Sequence, residues 1–385
     1  MNNRYLKIII CVFSLIFIFQ NSYSQENSKR LNLLISSRVD TTSQEVRSVL
    51  KLYENYLNSQ PDSISDNPYW NKKEKEKYSD FDFSRASLFQ GQMTTKKLFQ
   101  VYPPLVMSIE PVGNKYQIRV LFSSSTQNPK YAGSKVWGIQ KLNATKENKK
   151  WVLENLMVEL TKKWSSKRMG LIKYSYPPNH KFNQQKALKA ENFCNNFIER
   201  FNPSYNTPFR FYVTDNVDEM GLLENFDYYF AGITTGKSRE NMIFSALGNE
   251  YYPHEFVHQL LPENKNRSYL IEEGLAMYLG TKKKKLDYDQ LLNKLAFDLS
   301  ENPDKINFKS VCSQKVRFNG YQTAYPAGAA ICEVVYNEKS DNGLLKLMEA
   351  DTKNYAALVN SVCEITGFTE KEFKEHWHNV IKTYR

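Results

Sequence analysis

The segment His254-Glu255-Phe256-Val257-His258 places two imidazoles four residues apart and a carboxylate directly after the first, the form H-E-x-x-H. On a helix that spacing puts both rings on one face a single turn apart, close enough to grip one ion. Glu255 then points beside the ion. Zinc held there lowers the pKa of a bound water to about 7, and Glu255 is placed to take its proton, so these residues predict metal-assisted hydrolysis. The plainer reading is a surface helix that carries two unrelated histidines. A catalytic zinc also needs a third protein ligand, with a fourth position left to water. Downstream, Ile271-Glu272-Glu273-Gly274-Leu275-Ala276-Met277-Tyr278 reads as a short helical stretch after the loop Leu261 to Arg267, and it offers Glu273, with Glu272 as the competing ligand. The two carboxylates would project roughly 100° apart around a helix, so one of them completes the shell and the other faces elsewhere.

The H-E-F-V-H helix followed by E-E-G-L-A-M-Y-L-G resembles the gluzincins, in particular the peptidase-MA-like group related to the leukotriene-hydrolase and aminopeptidase clan. In those enzymes the glutamate immediately before the glycine of an E-G-x-A helix completes the zinc shell. The resemblance therefore implies His254, His258 and Glu273 as ligands of one zinc ion per chain, and Glu255 as the general base. In the aminopeptidase relatives a tyrosine followed three residues later by glycine opens the next helix and donates its hydroxyl to the tetrahedral intermediate. Tyr325 with Gly328, in Thr323-Ala324-Tyr325-Pro326-Ala327-Gly328, stands at the matching place. A donor of this kind contributes about 3 to 4 kcal/mol to a transition state. The chain has 25 tyrosines, and Tyr321 lies close by.

The resemblance spans about residues 168 to 385 and departs from the family at two points. The G-x-M-E-N strand that grips the substrate amine in the aminopeptidases is absent; Arg239-Glu240-Asn241-Met242 is a scrambled echo of it. Thermolysin-like relatives carry an aspartate four residues after the glutamate ligand, and here that position is Met277. The groups that orient the histidines must then come from elsewhere.

The elements that position these residues follow from hydrophobic period. Ala187, Ala190, Cys194, Phe197, Ile198 and Phe201 predict a helix over about 184 to 201. Extended runs are expected at Leu171 to Tyr176, at Phe209, Phe211 and Val213, at Phe226 to Ile233 and at Met242 to Ala246. Pro253 suits the first turn of the motif helix, where a missing N–H costs nothing. Beyond Tyr325, apolar runs predict helices over Ala329 to Tyr336 and Leu344 to Met348. Thr369-Glu370-Lys371-Glu372 has the form of a capping box opening a last helix through Trp377 and Ile381. A basic, loop-like junction at Lys162 to Arg168 is expected to separate this part from an amino-terminal one.

In the amino-terminal part, Val46, Val49, Leu50, Tyr53, Tyr56 and Leu57 predict an amphipathic helix over about 43 to 59. Tyr116, Ile118, Val120 and Phe122 then alternate as a strand after the turn pair Gly113-Asn114. Further strands are expected at about 134 to 143 and 150 to 160. The expected fold class is thus α+β, with an accessory domain at 31 to 165 and the metallopeptidase-like domain at 168 to 385. The order of helix and strand meander resembles the cone-shaped, cystatin-like fold of nuclear-transport-factor-2-like domains, which implies a binding or spacer role.

Residues 1 to 24 read as a secretory signal: Arg4 and Lys7, an apolar run from Ile8 to Phe19, then Ser22 and Ser24 before Gln25. The run is shorter than the about 20 residues that span a bilayer, so a secreted or periplasmic protein without stable membrane insertion is expected. Loss of Arg4 and Lys7 lowers the formal charge from +11 to +9. The lysines cluster in polar patches, Lys72 to Lys77 and Lys282 to Lys285, with no basic stripe interleaved with aromatics, so nucleic acid is not expected as a partner; the peptidase resemblance implies a peptide or protein substrate. Cys194, Cys312, Cys332 and Cys363 lack C-x-x-C spacing, which argues against a zinc knuckle or a redox dithiol. Ala231 to Ser238 matches a relaxed phosphate-loop pattern, but a β-like run follows it where a helix is required. Two rival readings of the whole are a catalytically silent binding protein that keeps the fold and a zinc amidohydrolase acting on a non-peptide amide.

Overall fold

A computed structural model describes residues 31–63, 66–89, 94–126, 135–201, 207–229, 236–281, 286–313 and 317–385. The expected signal segment, residues 231–235 of the phosphate-loop-like stretch and the lysine run 282–285 lie outside the described residues. The fold is α+β, in two compact units: residues up to Lys72 with Ser84–Glu154, and Lys73–Phe83 with Asn155–Arg385. No helix among the described residues is long and apolar enough to cross a membrane.

In the first unit, strands β1 (Leu34–Ile35), β2 (Pro104–Val112), β3 (Lys115–Ser123), β4 (Val136–Glu147) and β5 (Lys150–Glu154) lie side by side in that order. β1 runs parallel to β2, and the remaining neighbours are antiparallel. Both tight hairpins use left-handed backbone, Gly113 at φ 60° in one and Asn148 and Lys149 at φ 47° and 66° in the other, which suits the twist of the flanking strands. Helix α1 (Gln44–Asn58), whose Ser43 side chain caps Val46 N–H, buries Val46, Val49, Leu52, Tyr53, Tyr56 and Leu57. Across the core, Tyr53 donates to Gln140 at 2.6 Å and Gln140 donates to Ser84 at 2.7 Å, so the polar groups are satisfied by one another.

The strand expected to run to residue 160 stops at Glu154, and the expected junction at 162 to 168 lies inside the second unit. Asn155 is the physical reason. Its side chain donates to the Phe81 carbonyl at 2.6 Å and accepts from Asn225 at 2.6 Å and from Phe83 N–H at 3.3 Å, while its own N–H donates to Glu74. A fully buried amide with this many partners pulls the chain out of the sheet and ties residues 73–83 to the second unit. The expected loop at Lys162 to Arg168 is partly strand: β6 (Ser165–Met169) pairs antiparallel with β7 (Ile172–Tyr176) around Gly170. Four of the five residues of β6 are exposed and polar, so no hydrophobic alternation marks it.

The second unit holds a mixed sheet. Moving across it, the order is β9 (Gly236–Arg239), β10 (Met242–Ser245), β8 (Phe209–Val213), β7 and β6. The three inner strands are parallel, and an antiparallel hairpin closes each edge. Gly236 to Ser238, the described end of the phosphate-loop-like stretch, is therefore strand and opens no helix. Helix α2 (Gln184–Phe201) buries Ala187, Ala190, Cys194, Phe197 and Phe201. The helical layer comprises α3 (Pro253–Leu260), α4 (Tyr269–Thr281), α5 (Leu286–Glu301), α6 (Ala324–Glu349), α7 (Tyr355–Thr366) and α8 (Glu370–Lys382). α6 is two helical segments meeting at Ser340, whose φ is 51°, which separates the two apolar runs read from the sequence. The capping box forms at α8: Glu372 N–H donates to Thr369 and Thr369 N–H donates to Glu372. Trp377 on α8 is fully buried and donates its indole N–H to the Ala327 carbonyl at 3.1 Å.

Glycines set how closely the helices approach. A Cβ on Gly274 of α4 would lie 2.6 Å from Gly328 Cα of α6, and one on Gly328 would lie 2.8 Å from Gly274 Cα, with the Leu270 carbonyl closer still. On α4's other side a Cβ at Gly280 would sit 2.8 Å from His254 Cα. α4 thus touches α6 and the start of α3 backbone to backbone. Gly328→Ala should lower stability by about 1–3 kcal/mol, the usual cost of overpacking, read as a fall in the urea midpoint with unchanged slope.

Candidate metal centre

The motif helix is fixed from its apolar side. Phe256 and Val257 are fully buried, and the Phe256 ring lies 5.5 Å from Phe211, 6.1 Å from Phe209 and 6.1 Å from Phe193. With those positions turned to the sheet and α2, His254 and His258 face α4 with ring centroids 5.0 Å apart, as a spacing of four dictates. Pro253 occupies the first turn of α3. Three polar bonds hold the β9–β10 hairpin to the helix: Ser238 donates to the Glu255 carbonyl at 3.2 Å, and Gln259 donates to the Arg239 carbonyl at 2.7 Å and to the Met242 carbonyl at 3.3 Å.

Across from the histidines, α4 presents Glu273. Its Oε2 lies 3.2 Å from His254 Nε2 and 3.6 Å from His258 Nε2. Among the described residues, His254, His258 and Glu273 are the one group of three such side chains whose ligand atoms lie within 4.8 Å of one another. Ligands at about 2.0–2.2 Å from a shared tetrahedral ion stand about 3.4 Å apart, so both separations suit an ion between them. Glu255 is buried on the same helix, and no hydrogen bond to its carboxylate is found among the described residues. Tyr325, at the start of α6, stacks on His254 with centroids 5.7 Å apart and planes 15° from parallel. The five residues read from the sequence therefore gather at one place, where α3, α4 and α6 meet.

Charge at this place is arranged to hold a cation. Burial works against a charged His258, but hydrogen bonds to Glu272 and Glu273 outweigh it and push its pKa up to about 10. Burial would likewise raise Glu273, yet its hydrogen bonds with His254 and His258 hold it down to about 2. The carboxylate stays ionised and gathers positive charge between the two imidazoles.

Three further residues lie at this place: Glu272, read from the sequence as the competing ligand, and Arg267 and Tyr269, which the sequence pattern did not reveal. Glu272 lies outside the group of three: its Oε1 is 3.2 Å from His258 Nδ1, the nitrogen turned away from Glu273, a contact that sets the direction of the ring. Arg267 donates to Glu272 Oε2 at 2.7 Å. These supply the orienting carboxylate that Met277 cannot. Tyr269, one turn before Glu273 on α4, interacts with Glu273 and Tyr325, and its ring stands edge-on to Tyr325 at 6.4 Å. Burial, then the Glu273 charge, push the Tyr269 hydroxyl up to about 12 and raise Tyr325 further, so both remain protonated donors at neutral pH. The i, i+4 relation of Tyr269 to Glu273 was the available signal, and one tyrosine among 25 does not stand out by it.

Cys194, Cys312 and Cys332 are buried and Cys363 is partly so; none is joined to another, and none belongs to the ligand group. No protein-family model matches the chain, and no curated protein matches it with significant similarity. Glu272→Ala should weaken zinc binding about 10- to 100-fold, and Glu273→Ala should weaken it further, both read by competition with a chromogenic chelator.

Proposed function

We propose that the chain is a zinc-dependent metallopeptidase, secreted or periplasmic, whose second unit carries a gluzincin-like site and hydrolyses peptide bonds. The observation that supports this most is the meeting of His254, His258 and Glu273 at separations suited to one ion, with Glu255 beside them. Two imidazoles and a carboxylate form a donor set suited to catalytic zinc. Zinc in such a set supplies Lewis acidity, enough to bring the pKa of a water down to about 7.

The chain's own groups do the rest. Glu272 holds His258 so that Nε2 faces Glu273. Glu255, with no hydrogen bond to its carboxylate among the described residues, accepts the proton of the attacking water and returns it to the departing amine nitrogen. Tyr325, a protonated phenol held against His254, donates its hydroxyl to the oxygen on which charge develops, with Tyr269 behind it. The α+β first unit, whose element order resembles a cone-like fold and so implies a binding or spacer role, serves as the accessory part.

The purified protein should carry about one zinc per chain. Glu255→Gln should retain the metal and lose peptide hydrolysis by about 10²- to 10⁴-fold. Tyr325→Phe should lower kcat by about 10²- to 10³-fold with KM little changed. Digestion of a peptide library by the wild type beside Glu255→Gln is the measurement. Loss of cleavage in both, with zinc present, would leave the silent binding protein or the amidohydrolase as the better account.

A further inference from the structure

Arg267 is 4 % exposed at its side chain and forms a clamp outside the ligand group. Its Nη1 donates to Glu272 at 2.7 Å. The other donors go to main-chain carbonyls: Nε and Nη2 to Met348 at 3.0 and 2.6 Å, and Nη2 to Pro262 at 2.6 Å. Met348 lies in the last turn of α6, where carbonyls lack partners within the helix and carry the negative end of its dipole. The loop carrying Arg267 is fastened to the same helix end by other residues as well. Asn264 donates to the Met348 and Ala350 carbonyls at 3.1 and 2.9 Å, Thr352 N–H donates to the Asn266 carbonyl at 2.9 Å, and Ser268 N–H donates to Thr352 Oγ1 at 2.9 Å.

The loop is thus anchored without Arg267, whose distinct contribution is to join that anchorage to Glu272. We propose that Arg267 is a positioning residue of the metal centre. It fixes one oxygen of Glu272 so that the other stays on His258 Nδ1, and so makes zinc affinity depend on the carboxyl end of α6. The inference rests on His254, His258 and Glu273 being a metal centre. A planar fork suits the task, because one guanidinium can hold a carboxylate and two carbonyls in fixed directions while an ammonium is a point charge.

The test is zinc affinity of the full chain, measured against a chromogenic chelator, for wild type, Arg267→Met, Arg267→Lys, Glu272→Ala and the double variant Arg267→Met/Glu272→Ala. Arg267→Met should bind zinc about tenfold more weakly or worse, and Arg267→Lys should fall between it and wild type. The double variant should bind about as Glu272→Ala alone, because both changes break one path. The d–d spectrum of the cobalt-substituted protein should shift in Arg267→Met, as a merely structural role would not require. Wild-type affinity in Arg267→Met, or losses that simply add in the double variant, would overturn the proposal. Should Arg267→Met not fold, Arg267→Lys decides alone, since affinity equal to wild type there refutes the fork. A wild-type chain that binds no zinc would instead bring down the metal reading itself.

Discussion

The backbone contact of α4 with its two neighbours is the constraint from which the site follows. Side-chain-mediated helix packing holds axes about 8–10 Å apart, and glycine at the crossing allows closer approach. Gly274 faces Gly328 of α6, and Gly280 faces His254 at the start of α3. Between them on α4 lies one turn and a half of helix, and Glu273 is the residue next to the first glycine. The short reach of a glutamate then suffices to bring its oxygen within 3.2 Å of His254 and 3.6 Å of His258. The E-G pair is therefore one device: the carboxylate acts, and the glycine lets the helix come near enough for it to do so. Gly328 serves the same contact from α6 and, three residues after Tyr325, also fixes how close that phenol stands to His254.

A cluster of two histidines and three glutamates in little water is costly unless each group has an opposite charge or a donor. Here each carboxylate is assigned separately. Glu273 takes the inner nitrogens, Glu272 the outer nitrogen of His258 and the Arg267 guanidinium, and the Glu255 charge acts on His258 with no hydrogen bond to its carboxylate among the described residues. That division keeps Glu272 and Glu273, adjacent in sequence, from competing for one position: they leave the helix in different directions and meet different atoms of the same imidazole.

Much of the site was legible because its signals are local. H-E-x-x-H is a statement about one turn of one helix, and Glu273 and Tyr325 each precede a glycine at short range. The α+β class was likewise legible from α1 and the strand meander, whose apolar residues alternate plainly. What escaped depends on tertiary placement. Arg267 reads as a loop cation until the end of α6 is seen behind it, and β6 reads as a loop because an exposed edge strand needs no hydrophobic face. Asn155 reads as part of a strand because nothing in its neighbours announces the four partners that draw it away.

The burial of the thiols bears on how the proposed metal centre would compete for an ion. In the folded chain Cys194, Cys312 and Cys332 are shut away, and burial pushes Cys194 up to about 12, so none presents a thiolate to compete for an ion. Unfolding exposes Cys194, Cys312, Cys332 and Cys363 along with the histidines, and an unfolded chain with such donors binds zinc in its own right. Zinc would then stabilise the native state by less than its affinity for the native site alone implies, because part of that gain is matched in the denatured ensemble. Under the proposed metal reading, concealing Cys194, Cys312 and Cys332 leaves an ion fewer competing donors in the native chain than in the unfolded one.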